Sequence, residues 1–216
     1  MKSATGTKAC ATKDSATGTK ACATKDLAMT ATQCPAGRSP KAWAVFGLTF
    51  AAGLAADLLS KALVFDWLSR AEPLTGRRQI IPGILRFTLS TNPGVVFGFD
   101  KMPRTLVVAA TLLAVAVVVY FFITSPRRSP AMHAALGMIL AGAVGNLNDR
   151  LFSHVQLPQR PPVDRHVRDF LDFGQLHYPW IFNVADVLLV AGLAILVLAC
   201  LVQWRRQRRL PASPAR

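Results

Sequence analysis

Four apolar stretches, each close to the length that crosses a bilayer, constrain this chain more than any other feature. They run from about Ala42 to Phe65, Leu106 to Ile123, Met132 to Leu147 and Trp180 to Val202. A bilayer core of about 30 Å takes roughly 20 helical residues to cross. Lipid offers the backbone no hydrogen-bond partner, so each stretch is expected to be a helix. Trp43, Trp180 and Trp204 stand at the expected ends, where interfacial aromatic residues gather. Composition agrees. Of 216 residues, 17% are charged and the mean hydropathy is +0.34, against about 25% charged in soluble domains.

The formal net charge of +14 raises the question of nucleic acid, but the basic residues are placed as membrane flanks. Arg127 and Arg128 fill the turn Ser125–Pro130, and Arg205, Arg206, Arg208 and Arg209 follow the last apolar stretch. Such placement fixes orientation in a membrane, and no nucleic-acid partner is expected. With an even number of spans, the two tails lie on one side. The tails and the Ser125–Pro130 turn are therefore expected to be cytoplasmic, and the loops 66–105 and 148–179 to face outward. The first outer loop contains Pro82-Gly83 and the alternating run Ile84–Ser90, which predicts one or two small strands on the membrane surface. The fold class read from the chain is thus an all-α membrane protein of four transmembrane helices with a small extracytoplasmic β-containing region.

Residues 3–14 recur unchanged at 15–26. Units so short and polar bury no core, so residues 1–40 are expected to form a disordered tail, 41–204 the membrane domain, and 205–216 a basic cytoplasmic tail. The repeat is either a genuine tail or sequence upstream of a natural start at Met29. Cys10, Cys22, Cys34 and Cys200 show neither metal-ligand spacing nor a disulfide framework.

Polar residues at membrane depth are costly, and they mark function or internal pairing. Asp57 and Lys61 are four apart on one face of the first span. They read as a structural ion pair or as support for a neighbouring site. Asn146 and Asp149 are three apart in G-A-V-G-N-L-N-D-R (Gly142–Arg150), beside Arg150. Taken alone they form a polar helix end with an Asp–Arg pair. Gly142 and Gly145 permit close helix approach. Asn183 and Asp186, in F-N-V-A-D, are placed inside the fourth span, where Asp186 has no local cation. Asp169, in H-V-R-D-F-L-D-F (His166–Phe173), is a loop residue ahead of a short apolar stretch that can dip into the interface toward that span.

Two close carboxylates sharing one proton can hydrolyse a peptide bond. One activates a water while the other, protonated, polarises the carbonyl. No metal or other cofactor is called for. The four histidines lack H-E-x-x-H spacing, and there is no G-x-S-x-G turn. A small four-helix transporter or channel using intramembrane carboxylates is the alternative.

Five blocks in order carry a resemblance. D-L-L-S-K (Asp57–Lys61), S-T-N-P-G-V-V-F-G-F (Ser90–Phe99), G-A-V-G-N-L-N-D-R, V-R-D-F (Val167–Phe170) and F-N-V-A-D resemble the signature blocks of lipoprotein signal peptidases, over roughly Trp43 to Trp204. The resemblance implies an aspartic endopeptidase of the bacterial inner membrane, active at its outer face. Such enzymes cut prolipoproteins before a diacylglyceryl-modified cysteine. It implies that Asp169 and Asp186 are the catalytic pair. Asn92, Gly94, Asn146, Asp149, Arg150 and Asn183 then support the site or contact substrate, with Asp57 and Lys61 beside it. The expected partners are the lipidated precursor and membrane lipid, and the chain is expected to act as a monomer. One departure is the segment Leu151–His166, longer than the family's usual link and containing Pro158, Pro161 and Pro162. It is expected to bulge outward. Asp169 is preferred to Asp172 because D-F follows V-x.

Overall fold

Each apolar stretch forms a helix, and each helix is longer than the stretch that predicts it. The computed structural model describes residues 35–94 and 103–208. The repeats, Cys10, Cys22, Cys34 and the tail beyond Arg208 lie outside the described residues. Helix α1 spans Pro40–Ala71, α2 Arg104–Thr124, α3 Pro130–Phe152 and α4 Val184–Arg208. All four are long and apolar enough to cross a membrane. Large side chains such as Leu48, Leu113 and Val190 point outward from α1, α2 and α4, as lipid-facing residues do.

Helix starts follow local chemistry. Ser39 Oγ accepts the Ala42 N–H at 3.4 Å, and Pro40 occupies the first turn of α1. Helix α4 starts later than the expected Trp180. Asn183 Oδ1 accepts the Asp186 N–H at 3.1 Å, while Asp186 Oδ2 accepts the Asn183 N–H at 3.2 Å. This reciprocal cap satisfies two N–H groups that no helical carbonyl reaches. It fixes the start at Val184 and leaves Ile181 and Phe182 to the sheet.

Helix α3 is central. It packs most extensively on α4 and α1, and α2 lies against it. Its small residues allow this. A Cβ at Gly137 would lie 2.7 Å from the Phe46 carbonyl oxygen of α1. One at Gly142 would overlap the Ala185 carbonyl oxygen of α4. Close approach lets backbones pack where lipid provides no hydrophobic drive. At the end where α1 begins, Phe46 stacks on Phe122 at 4.0 Å and Trp43 meets Phe122 edge-on.

Among the described residues, the other end carries six short strands: β1 Arg77–Ile81, β2 Leu85–Asn92, β3 His154–Val155, β4 Val163–Asp164, β5 Val167–Asp172 and β6 Ile181–Phe182. Four form an antiparallel sheet in the order β1-β2-β5-β6. The sequence places strand signal in the first outer loop only; half of this sheet comes from the second. Pairing of β2 with β5 sets Ser90 opposite Asp169. The Leu151–His166 insertion keeps its tip, Gln159–Pro162, exposed, as expected of an outward bulge, but it is not a plain loop. It folds into the β3–β4 hairpin, and Val155 and Leu157 bury against Leu68 of α1 and Leu89 of β2. Exposing those two side chains to water is less favourable than docking them there.

Candidate active site

Three elements converge where sheet meets bundle. Strand β5 brings Asp169, which is 3% exposed. The start of α4 brings Asn183 and Asp186, and α3 brings Asn146, Asp149 and Arg150. Asp169 is therefore a strand residue rather than a loop residue, and Asp186 stands in the first turn of α4 rather than deep within a span.

Two asparagines tie the aspartates together. Asn183 Nδ2 donates to Asp169 Oδ1 at 2.6 Å, while its Oδ1 takes the Asp186 N–H. Asn146 Nδ2 donates to Asp186 Oδ1 at 2.8 Å. Asn146 Oδ1 accepts from Lys61 Nζ at 3.0 Å and from Asn183 Nδ2 at 3.1 Å. The partners dictate both amide orientations, because an ammonium and a main-chain N–H only donate. Asn92 also hydrogen-bonds Asp169. Its Oδ1 accepts the Gly94 N–H at 2.8 Å. Gly94 has φ +107°, a conformation that favours glycine.

Behind the asparagines lies a buried ionic set. Lys61 Nζ meets Asp57 Oδ2 at 2.8 Å, Asn146 Oδ1 at 3.0 Å and Asp149 Oδ2 at 3.1 Å. Its three donors are thus used. Asp57 Oδ1 accepts the Ala185 N–H of α4 at 2.8 Å. Asp57 and Lys61 are therefore both an ion pair and a support of the site. Asp149 pairs with Lys61 and Arg168, not with its neighbour Arg150. Arg150 Nη1 reaches the Asn146 carbonyl at 3.5 Å, and its charge acts on Asp186, Asp169 and Asp149. Its buried Nε has no hydrogen-bond partner among the described residues.

Asp172, the competing carboxylate of β5, lies three residues along the strand and faces elsewhere. Arg86 donates to it through Nε at 2.8 Å and Nη2 at 2.6 Å, Thr88 at 2.7 Å, and Gly174 N–H at 2.8 Å. Thr88, Gly174 and Arg86 together hold its carboxyl below the usual range although burial opposes them. Asp169 is the opposite case. Burial, then the charge of Asp186, push it up from 3.8 to about 7, against the bonds from Asn183 and Asn92 and the charge of Lys61. A carboxyl that keeps its proton near neutral pH beside a second carboxyl is equipped for acid–base work.

Sequence reasoning missed Arg168. Its N–H meets Asp149 Oδ2 at 3.0 Å, and Nε and Nη2 meet Asp149 Oδ1 at 3.1 and 2.7 Å. Its partner lies 19 residues away, so no local spacing signals it.

A family model described as Signal peptidase (SPase) II matches residues 49–202. A lipoprotein signal peptidase of Brevibacillus brevis is 31% identical over 155 residues, 72% of this chain and 93% of the relative. One of Mycobacterium avium is 36% identical over 169 residues, 78% of this chain and 85% of the relative. A solved bacterial membrane enzyme matches the fold with a TM-score of 0.61 at 24% identity, over 78% of this chain and 94% of that one.

Proposed function

Because the chain belongs to the signal peptidase II family and removes signal peptides from prolipoproteins, we propose that it is an aspartic endopeptidase with Asp169 and Asp186 as its catalytic pair. It is a multi-pass protein of the bacterial inner membrane. The observation that carries the reading is the single side chain of Asn183, which holds Asp169 with one end and caps the turn of Asp186 with the other. Asp169 holds the shared proton and polarises the scissile carbonyl. Asp186, at the N-terminus of α4, takes a proton from water, which attacks the carbonyl carbon. The leaving amine then receives a proton from the pair, and the peptide bond breaks. Asp169→Asn and Asp186→Asn keep size but cannot cycle the proton. Each is expected to abolish cleavage by purified protein. Full activity in either would remove that residue from the role.

We propose that the substrate's lipid lies in a cleft beside the site. A cleft of about 460 Å³ opens between α2 and α3, with Val108, Leu112 and Phe152 on its walls and Arg104, Arg150 and Arg165 at its polar edge. Through Arg150 it adjoins the carboxylate pair. Two acyl chains anchor a peptide stably at this depth, at about 0.8 kcal/mol per buried CH₂. Matched precursors with and without diacylglycerol on the cysteine are therefore expected to differ strongly in cleavage rate. Equal rates would show that peptide alone is read. A transport path needs polar groups along a whole crossing, whereas Asp57, Lys61, Asp149 and Asp186 gather at one end of the bundle.

A further inference from the structure

The sheet holds Asp169 from one side only. Pairing of β5 with β6 covers only Leu171 and Asp172, so at Asp169 there is a ladder neighbour on one side, β2. The register of that remaining pairing breaks between Phe87 and Ser90, just short of Asp169. A carboxyl that must meet another within a fraction of an ångström needs a further constraint.

Arg168 supplies one from the adjacent position. Its main-chain N–H and its guanidinium grip the same carboxylate, Asp149, with three bonds of 2.7–3.1 Å. Asp149 is fully buried on the central helix and is held in turn by Lys61. We propose that Arg168 is a positioning residue for peptide hydrolysis, fixing β5 to α3 so that Asp169 faces Asp186, and balancing the charge of the buried Asp57–Lys61–Asp149 set. The inference rests on Asp169 and Asp186 being the catalytic pair.

Both parts follow from the chemistry of the guanidinium. Its planar fork fixes direction as well as distance, which an ammonium on a flexible stem does not. Its charge makes the set neutral, two anions against Lys61 and Arg168; without it one negative charge is left uncompensated. The groups around Asp169 are Asp186 and Asn183 from α4, Asn92 from β2, Lys61 from α1 and Arg150 from α3. An added negative charge behind them favours the protonated form of Asp169. Arg168→Gln therefore moves the pH profile of kcat to higher pH, whereas Arg168→Lys leaves it in place.

The test measures kcat, KM and pH profile with a diacylglyceryl precursor for wild type, Arg168→Lys, Arg168→Gln and Asp169→Asn, with thermal unfolding of each. Arg168→Gln is expected to lower kcat on the order of tenfold to a hundredfold, with KM within twofold and the profile moved upward. Arg168→Lys is expected to restore the profile but only part of kcat. If Arg168→Gln does not fold, Arg168→Lys decides, through a reduced kcat at unchanged KM. Wild-type kcat in both variants, or losses that merely track the folded fraction with an unmoved profile, overturn the inference. Wild-type activity in Asp169→Asn would instead withdraw the catalytic pair itself.

Discussion

Asp169 binds its proton more tightly in the fold than in the unfolded chain, and that has a sign. Its carboxyl rises from 3.8 to about 7 through burial and the charge of Asp186. The native state then holds more protons between these values, so stability falls as pH rises through that window. At 1.36 kcal/mol per unit, the shift from 3.8 to about 7 sets a ceiling of about 4 kcal/mol. Asp169→Asn removes this penalty while keeping an oxygen for Asn183. It is expected to unfold at higher temperature than wild type at pH 8, to match it near pH 4, and to be inactive at both. Lower stability than wild type at pH 8 would show that the buried charge is not a burden. In wild type, the proposed mechanism predicts that cleavage declines as pH rises past about 7, because Asp169 then loses the proton proposed to polarise the carbonyl. At this scale much was legible. Asp57, Asn146, Asp149, Asn183 and Asp186 stand out in sequence because apolar runs rarely carry such groups. Arg168 did not, because an arginine in an outer loop is ordinary until its partner on α3 is seen.

Helix α3 shows how elements set the site. A Cβ at Gly145 would overlap Asp57 Oδ2, the oxygen that receives Lys61. Gly145→Ala is expected to cost about 1–3 kcal/mol, the usual range for overpacking, and to lower activity by displacing the ion pair behind Asn146. Gly47 has nothing within 4 Å of its Cβ position, so Gly47→Ala is the matched control and should unfold like wild type. Thermal unfolding of the two in detergent checks this; equal midpoints would mean the contact at Gly145 relaxes freely. The positions of the spans were legible from apolar runs, but their ends were not. Hydropathy carries the fourth run back to Trp180, whereas the cap between Asn183 and Asp186 starts the helix at Val184. The N-x-x-D spacing was a usable capping signal. The sheet was half legible. The alternation in Ile84–Ser90 marked β2, but Val167–Asp172 has buried side chains on both faces. It therefore lacks the alternation that announces a strand.

The whole molecule has two unlike ends, and their difference bears on orientation. At one end Ala36 N–H donates to the Ser125 carbonyl at 2.8 Å, Pro35 bridges to Pro126, and Gln203 hydrogen-bonds Ser129. The start of α1, the α2–α3 turn and the end of α4 therefore share one side of the membrane whatever the charge rule says. That side bears Lys41, Arg127, Arg128, Arg205 and Arg208. The other end bears the sheet, the β3–β4 hairpin and the carboxylate pair, and also has arginines, among them Arg77, Arg78, Arg160 and Arg165. The basic residues in the short α2–α3 turn and close after α4 weigh most, because short segments next to spans govern insertion. Reporters fused after Gln203 and within Ser125–Pro130 are thus expected to read cytoplasmic, and one within Pro158–Asp164 external. The three sites are linked by the fold, so only two consistent patterns exist. An external signal after Gln203 with a cytoplasmic one from Pro158–Asp164 would turn the whole bundle over. Asp169 and Asp186 would then face the cytoplasm, and the outer-face active site would have to be abandoned.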